Sequence, residues 1–290
     1  MTTIRPRRSV LYMPGSNARA LEKARTLAAD ALILDLEDAV APDAKELARS
    51  QVCDAVKARS FGKREIIIRV NGLGTPWGEA DLSAAAEARP DAILLPKVSA
   101  PGDLHAIEER LLRQHADRAI ALWAMIETPA AILNVAAIAA AGGRLAAFVM
   151  GTNDLIKEMR GAHTPERANL AAALTLSVLA ARANSLAVID GVYNDIQNAD
   201  GFKATCEQAK SFGFDGKTLI HPSQVEPCNA VFAPSAEDVA AARQLIAAFE
   251  LPENKGKGAI KLDGRMVELL HAEIARGTVA MADAISQLST

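Results

Sequence analysis

The chain has 290 residues, half of them hydrophobic and only 4% aromatic, which is enough for one large barrel or two ordinary domains. A formal net charge of -3 and a pI near 6.0 give no electrostatic reason to expect nucleic acid as a partner. Three widely spaced cysteines (Cys53, Cys206 and Cys228) without a CxxC or Cys/His pair, no signal-peptide core and no run of about 18 apolar residues together predict a soluble cytoplasmic protein with reduced thiols.

Short apolar runs recur along the chain: SVLYM (9–13), ALILDL (31–36), EIIIRV (65–70), DAILLP (91–96), AIALWAMI (119–126), LAAFVM (145–150), LAVID (186–190) and KTLI (217–220). Each is too short for a helix and is bounded by Gly, Pro, Asn or Asp, so each reads as a buried strand. Amphipathic segments lie between them, such as 16–29 and 43–59, with Ser16 and Asp43 as candidate N-caps. Eight strands alternating with helices predict an α/β fold, a (β/α)8 TIM barrel over 1–250. GLGTPWG (72–78) opens no evident helix, so it carries little weight as a phosphate loop. LPENKGKG (251–258) reads as a connector. Beyond it KLDGRMVELLHAEIARG (261–277) reads as a turn and an amphipathic helix, and 251–290 forms a C-terminal extension serving as lid or oligomer arm.

A barrel places its active site at the C-terminal strand ends. The residues there are Pro14-Gly15-Ser16; Asp35, Glu37 and Asp38; Arg69 and Asn71; Lys97; Glu127; Gly151, Asn153 and Asp154; Asp190; and His221-Pro222. No Ser/His/Asp or Cys/His set stands out, and no lysine is evident inside an apolar strand where it would form a Schiff base. Acids outnumber bases, which favours a hard divalent cation. Glu127 and Asp154, on adjacent strands, have the chemistry and placement for Mg²⁺. Asp154 alone would read as the N-cap of the following LIKEMR helix, and Asp190 as closing a turn with Gly191. Arg69 is expected to pair with Glu37 or Asp38.

The motifs RSVLYMPGSN, LDLEDAV, IRVNGLGTPWGEADL, LLPKV, IETPAAI, MGTNDL and IHPSQV, in this order, resemble the citrate lyase β-subunit-like branch of the HpcH/HpaI aldolase superfamily, from Arg8 to about Arg265. That resemblance implies Glu127 and Asp154 as Mg²⁺ ligands and Arg69 as the residue that binds substrate oxygens and stabilises developing negative charge, with Glu127 beside the substrate. Glu37 and Asp38 are expected to support Arg69 or metal-bound waters, and Asp35 to be structural. Coenzyme A contacts are expected from Arg19, Lys23, Arg25, Lys97, His221 and Pro222; the alternatives are a solvated helix face for the first three and a packed loop for His221. Where pyruvate aldolases of the superfamily carry a histidine base, this chain has Asp38, which points to the acyl-CoA branch. The lyases of that branch carry an aspartate in a C-terminal GxMID-P segment that crosses a subunit interface. Here GRMVELL puts Glu268 at its place as the catalytic carboxylate, one methylene longer.

The expected activity is a Mg²⁺-dependent carbon–carbon lyase. It would cleave or form a 3-hydroxy-acyl-CoA such as malyl-, citramalyl- or citryl-CoA, yielding acetyl-CoA and an oxo-acid. The alternatives are a hydrolase of the same thioesters and a carrier-dependent β subunit of a citrate lyase complex. A homotrimer or hexamer is implied, with no nucleic acid or membrane partner.

Overall fold

In the computed structural model, which describes residues 4–288, the eight apolar runs form strands within two residues of their expected spans. These are β1 (Ser9–Pro14), β2 (Ala31–Asp35), β3 (Glu65–Arg69), β4 (Ala92–Leu95), β5 (Ala121–Ile126), β6 (Leu145–Met150), β7 (Ala187–Asp190) and β8 (Gly216–Leu219). They pair in sequence order, all parallel, and β8 closes on β1. The protein is a (β/α)8 barrel.

Because side chains alternate along a strand, the barrel has two apolar layers. Val10, Ala31, Ile33, Ile67, Ala92, Leu94, Trp123, Met125, Ala147, Val149 and Ile189 fill the interior. Their strand neighbours, Leu11, Leu32, Leu34 and Ile68 among them, pack outward against the helices. Those helices are α1 (Ala18–Ala24), α2 (Lys45–Lys57), α3 (Gly78–Ala88), α4 (Pro101–Arg113), α5 (Pro129–Leu133), α6 (Val135–Ala139), α7 (Thr152–Glu158), α8 (Ala171–Ala183), α9 (Ala199–Phe212) and α10 (Val225–Phe232).

Three local expectations change. Asn17, not Ser16, caps α1, its side chain accepting from the Ala20 N–H at 3.1 Å. Asp43 caps nothing, because Pro42 opens a 3-10 turn (Pro42–Ala44) ahead of α2. GLGTPWG does lead into a helix: α3 begins at Gly78, where a Cβ would collide with the Gly72 carbonyl.

The described chain divides into two compact units, one spanning Arg7–Phe232 and the other gathering residues 4–6 and 233–288. Within the second unit α11 (Ala236–Glu250) packs on α12 (Leu269–Leu288), and α10 is the last helix of the first. GRMVE is not the start of a helix. It is the second strand of an antiparallel hairpin, β9 (Ala259–Leu262) and β10 (Arg265–Glu268), turning on Asp263-Gly264 with φ of 48° and 80°. Phe249, Ile260 and Ala272 form this unit's buried centre. No helix among the described residues is long and apolar enough to cross a membrane.

Candidate active site

Strand parity builds the site. Moving toward the C-terminal ends, the next positions in phase with the interior layer are Tyr12, Asp35, Arg69, Glu127 and Gly151. Asp35 and Arg69 are direct register partners on β2 and β3, so their side chains emerge together. Arg69 Nε and Nη2 donate to Asp35 Oδ1 and Oδ2, both at 2.6 Å. The Tyr12 ring lies 4.9 Å from the guanidinium carbon. Arg69 is 6% exposed, and burial opposes its charge, but Asp35 and Glu37 outweigh burial and raise its pKa.

The structure gathers all three acids of LDLEDAV around Arg69, in an unexpected order. Asp35, read as structural, provides the closest pair of bonds. Glu37 Oε2 reaches Nη1 at 2.8 Å, and Asp38 Oδ2 stands at 3.6 Å. Asp35 also accepts from the Glu37 and Ala39 N–H groups at 2.9 and 3.1 Å, which folds the turn back toward Arg69. Of five guanidinium N–H groups, two go to Asp35, one to Glu37 and one to Met125 Sδ at 3.7 Å, leaving a donor on Nη2 for a ligand oxygen. Burial, with Asp38 and Asp35 nearby, pushes the Glu37 carboxyl up to about 7 despite Arg69.

Glu127, at the end of β5, is 2% exposed, and its Oε1 accepts from the Lys97 N–H at 2.7 Å. Lys97 takes a left-handed backbone conformation (φ 53°) and contributes this main-chain donor while its side chain is exposed. Burial pushes the Glu127 carboxyl up to about 7; the Lys97 N–H offsets this in part, and Glu37 and Asp154 add repulsion. Gly151 makes room for the group, since a Cβ there would collide with the Glu127 side chain. Asp154 lies in the first turn of α7, whose N-cap is Gly151, so it is not the cap.

A cleft of about 300 Å³ joins these groups. Its described lining contains four carboxylates (Asp35, Asp38, Glu127 and Asp154) and one guanidinium, Arg69, already engaged by Asp35. Such a lining seeks a cation. Among the described residues no group of three or more His, Cys, Asp or Glu could hold a metal ion. A pair of carboxylates suits Mg²⁺, which fills its remaining positions with water and substrate oxygens. The cradle opened by Gly151 and the buried, cation-free Glu127 therefore fit that ion.

The residues expected to touch coenzyme A do not all sit together. Arg19 and Lys23 are exposed on α1, and Arg25, just past its end, pairs with Glu22 at 2.9 Å. His221 is exposed and caps the 3-10 turn Pro222–Gln224, bonding Ser223 through Nδ1. These follow β1 and β8, which are neighbours. Lys97 follows β4, on the opposite side of the barrel. Glu268 is exposed on β10, in the C-terminal unit.

Asp190 does not close a turn. It is out of phase with Ile189, lies fully buried behind the barrel wall, and holds Lys217 at 2.7 Å and Arg167 at 2.8 and 2.9 Å. Burial opposes its charge, but the two cations outweigh that and lower its pKa. Lys217 is thus a lysine buried in a strand after all, bound to Asp190 rather than free to form an imine. Sequence reasoning also missed Lys45, 5% exposed at the first position of α2. Its signal was available: Lys45, Ala48, Val52 and Val56 share one helical face, and a lysine on an apolar face calls for buried partners.

The model of the family described as HpcH/HpaI aldolase/citrate lyase matches residues 8–222. The (3S)-malyl-CoA thioesterase of Cereibacter sphaeroides (strain KD131 / KCTC 12085) is 52% identical over 281 residues, covering 97% of this chain and 96% of the relative. Citrate lyase subunit beta of Escherichia coli (strain K12) is 35% identical over 269 residues, 91% of this chain and 89% of the relative. Among solved structures, protein CitE from Mycobacterium tuberculosis, in complex with magnesium, acetoacetate and coenzyme A, aligns with a TM-score of 0.75 at 29% identity, over 96% of this chain and 98% of that one.

Proposed function

The chain belongs to the HpcH/HpaI aldolase/citrate lyase family, and on that premise we propose that it is a Mg²⁺-dependent hydrolase of a 3-hydroxy-dicarboxylic acyl-CoA thioester, malyl-CoA in the first instance. The observation that carries this reading is the 52% identity, along almost the whole of both chains, to a (3S)-malyl-CoA thioesterase. It moves the hydrolase ahead of the carbon–carbon lyase that the motifs alone suggested.

Glu127 and Asp154 would hold Mg²⁺, which, when bound, supplies Lewis-acid polarisation of the oxygen it chelates. Arg69, locked by Asp35 and backed by Tyr12, offers its remaining Nη2 donor to the acyl carboxylate or carbonyl and stabilises negative charge there. In hydrolysis a water oxygen adds to the thioester carbonyl carbon and the carbon–sulfur bond breaks. The thiolate leaves and takes up a proton as free coenzyme A. Low exposure of Glu127 and Arg69 strengthens these charge interactions relative to water.

A second reading, the lyase, is supported by the citrate lyase subunit beta relative. Malyl-, citramalyl- and citryl-CoA, each incubated with purified protein and Mg²⁺ and followed by mass spectrometry, separate the two. Free coenzyme A with the hydroxy-acid supports hydrolysis, whereas acetyl-CoA with an oxo-acid supports the lyase. Turnover only after addition of partner chains would instead support the carrier-dependent subunit. Light scattering measures the assembly, for which a homotrimer or hexamer is the expectation.

A further inference from the structure

We propose that Lys45 is a positioning residue: its buried ammonium fixes the turn that carries Glu37, and through Glu37 the orientation of the Arg69 guanidinium. The inference rests on the proposed function only in that Arg69 is taken to bind the acyl group.

Lys45 Nζ donates to the Leu36 carbonyl, the Glu37 carbonyl and Asn71 Oδ1, each at 2.8 Å. An ammonium has three donors, so all are used. The Trp77 ring lies 5.1 Å from the same nitrogen. Burial lowers the Lys45 pKa, and Asp35, Glu37 and Asp81 oppose that effect. Asn71 is itself held: its Nδ2 donates to the Leu36 carbonyl at 2.8 Å and to Asp81 Oδ2 at 2.6 Å, while Arg49 holds Asp81 at 2.7 Å.

The turn is therefore tied from both sides. Asp35 takes its N–H groups, and Lys45 and Asn71 take its carbonyls. With the Glu37 main chain fixed at its carbonyl and its N–H, the side chain has one short path back to Arg69 Nη1. Lys45 stands behind the wall that Asp35, Asp38 and Ala39 present to the cleft. Its contact with the Glu37 carbonyl, and the Glu37–Arg69 pair beyond, form the path by which it acts on substrate. A shift of about 1 Å in a substrate-orienting group can lower turnover about 100-fold.

A purely structural lysine would change stability without regard to Glu37. A positioning lysine must instead be coupled to it. Four proteins form the cycle: the natural chain, Lys45→Met, Glu37→Gln and the double variant, each verified as folded by circular dichroism. Two readouts are taken: kcat/KM for malyl-CoA hydrolysis at saturating Mg²⁺, and Kd for L-malate with Mg²⁺ by calorimetry. Each single variant should lower kcat/KM and malate affinity about tenfold, and the double variant should match the worse single within about threefold, because both break one path. Multiplying effects, or a folded Lys45→Met with natural turnover and malate affinity, would overturn the proposal. If Lys45→Met does not fold, Lys45→Gln, which keeps an amide donor, completes the cycle. A chain that binds malate but releases no coenzyme A would refute the hydrolase while the binding cycle still reports on Lys45.

Discussion

Mg²⁺ affinity should fall with pH through Glu127. Burial pushes this carboxyl up to about 7, and a carboxylate must lose its proton before it can ligate a metal. Its ionised fraction drops from roughly nine-tenths at pH 8 to roughly one-tenth at pH 6, so the apparent Kd for Mg²⁺ should rise about tenfold, or about 1.4 kcal/mol. Near pH 7 each bound ion should displace about half a proton, which calorimetry in two buffers of different ionisation enthalpy counts directly. Without metal the linkage has the opposite sign. The folded chain keeps a proton that the unfolded chain, near 4.5, has lost. Stability from this group is fully present below about 4.5 and is lost as pH rises through about 7. In EDTA, Glu127→Gln should therefore raise Tm at pH 8 and leave it near the natural value at pH 4. A Kd unchanged between pH 6 and 8, with no proton release, would refute the idea of a buried carboxylate awaiting a cation.

Gly151→Ala should weaken Mg²⁺ at least about tenfold, because the new methyl takes the space of the Glu127 carboxylate; unchanged affinity by calorimetry would contradict that crowding. Asp35→Asn leaves Arg69 buried without its bidentate partner and should cost roughly 3–5 kcal/mol in urea unfolding, with a large loss of turnover; a shift below about 1 kcal/mol would mean Asp35 contributes little. Lys217→Met should destabilise the fold by roughly 3 kcal/mol while the Mg²⁺ Kd stays unchanged, since Asp190 and Lys217 lie behind the wall; a weakened Mg²⁺ site would contradict that placement.

The barrel was legible because eight buried parallel strands leave near-continuous apolar runs that periodicity detects. Strand-end acids were legible as a group, but their roles depend on strand parity. Asp35 is in phase with Ile33 and meets Arg69 inside; Asp190 is out of phase with Ile189 and meets Lys217 outside. The runs show where strands are, not which way the last residue faces, so they do not separate the inward Asp35 from the outward Asp190. The β9–β10 hairpin was missed although Asp263-Gly264 is a strong hairpin dipeptide, because MVELLHAEI also has helical spacing. Lys45 could have been found from its position on the apolar face of α2, but its acceptors are main-chain carbonyls, which no side-chain pattern reveals.

Hydrolysis by this cleft is tested most directly by incubating malyl-CoA with the purified protein and Mg²⁺ in ¹⁸O-labelled water. Hydrolysis predicts one labelled oxygen in the malate carboxylate for each coenzyme A thiol released, and loss of both products in Glu127→Gln. Acetyl-CoA and glyoxylate without free thiol would contradict it and return the chain to carbon–carbon cleavage.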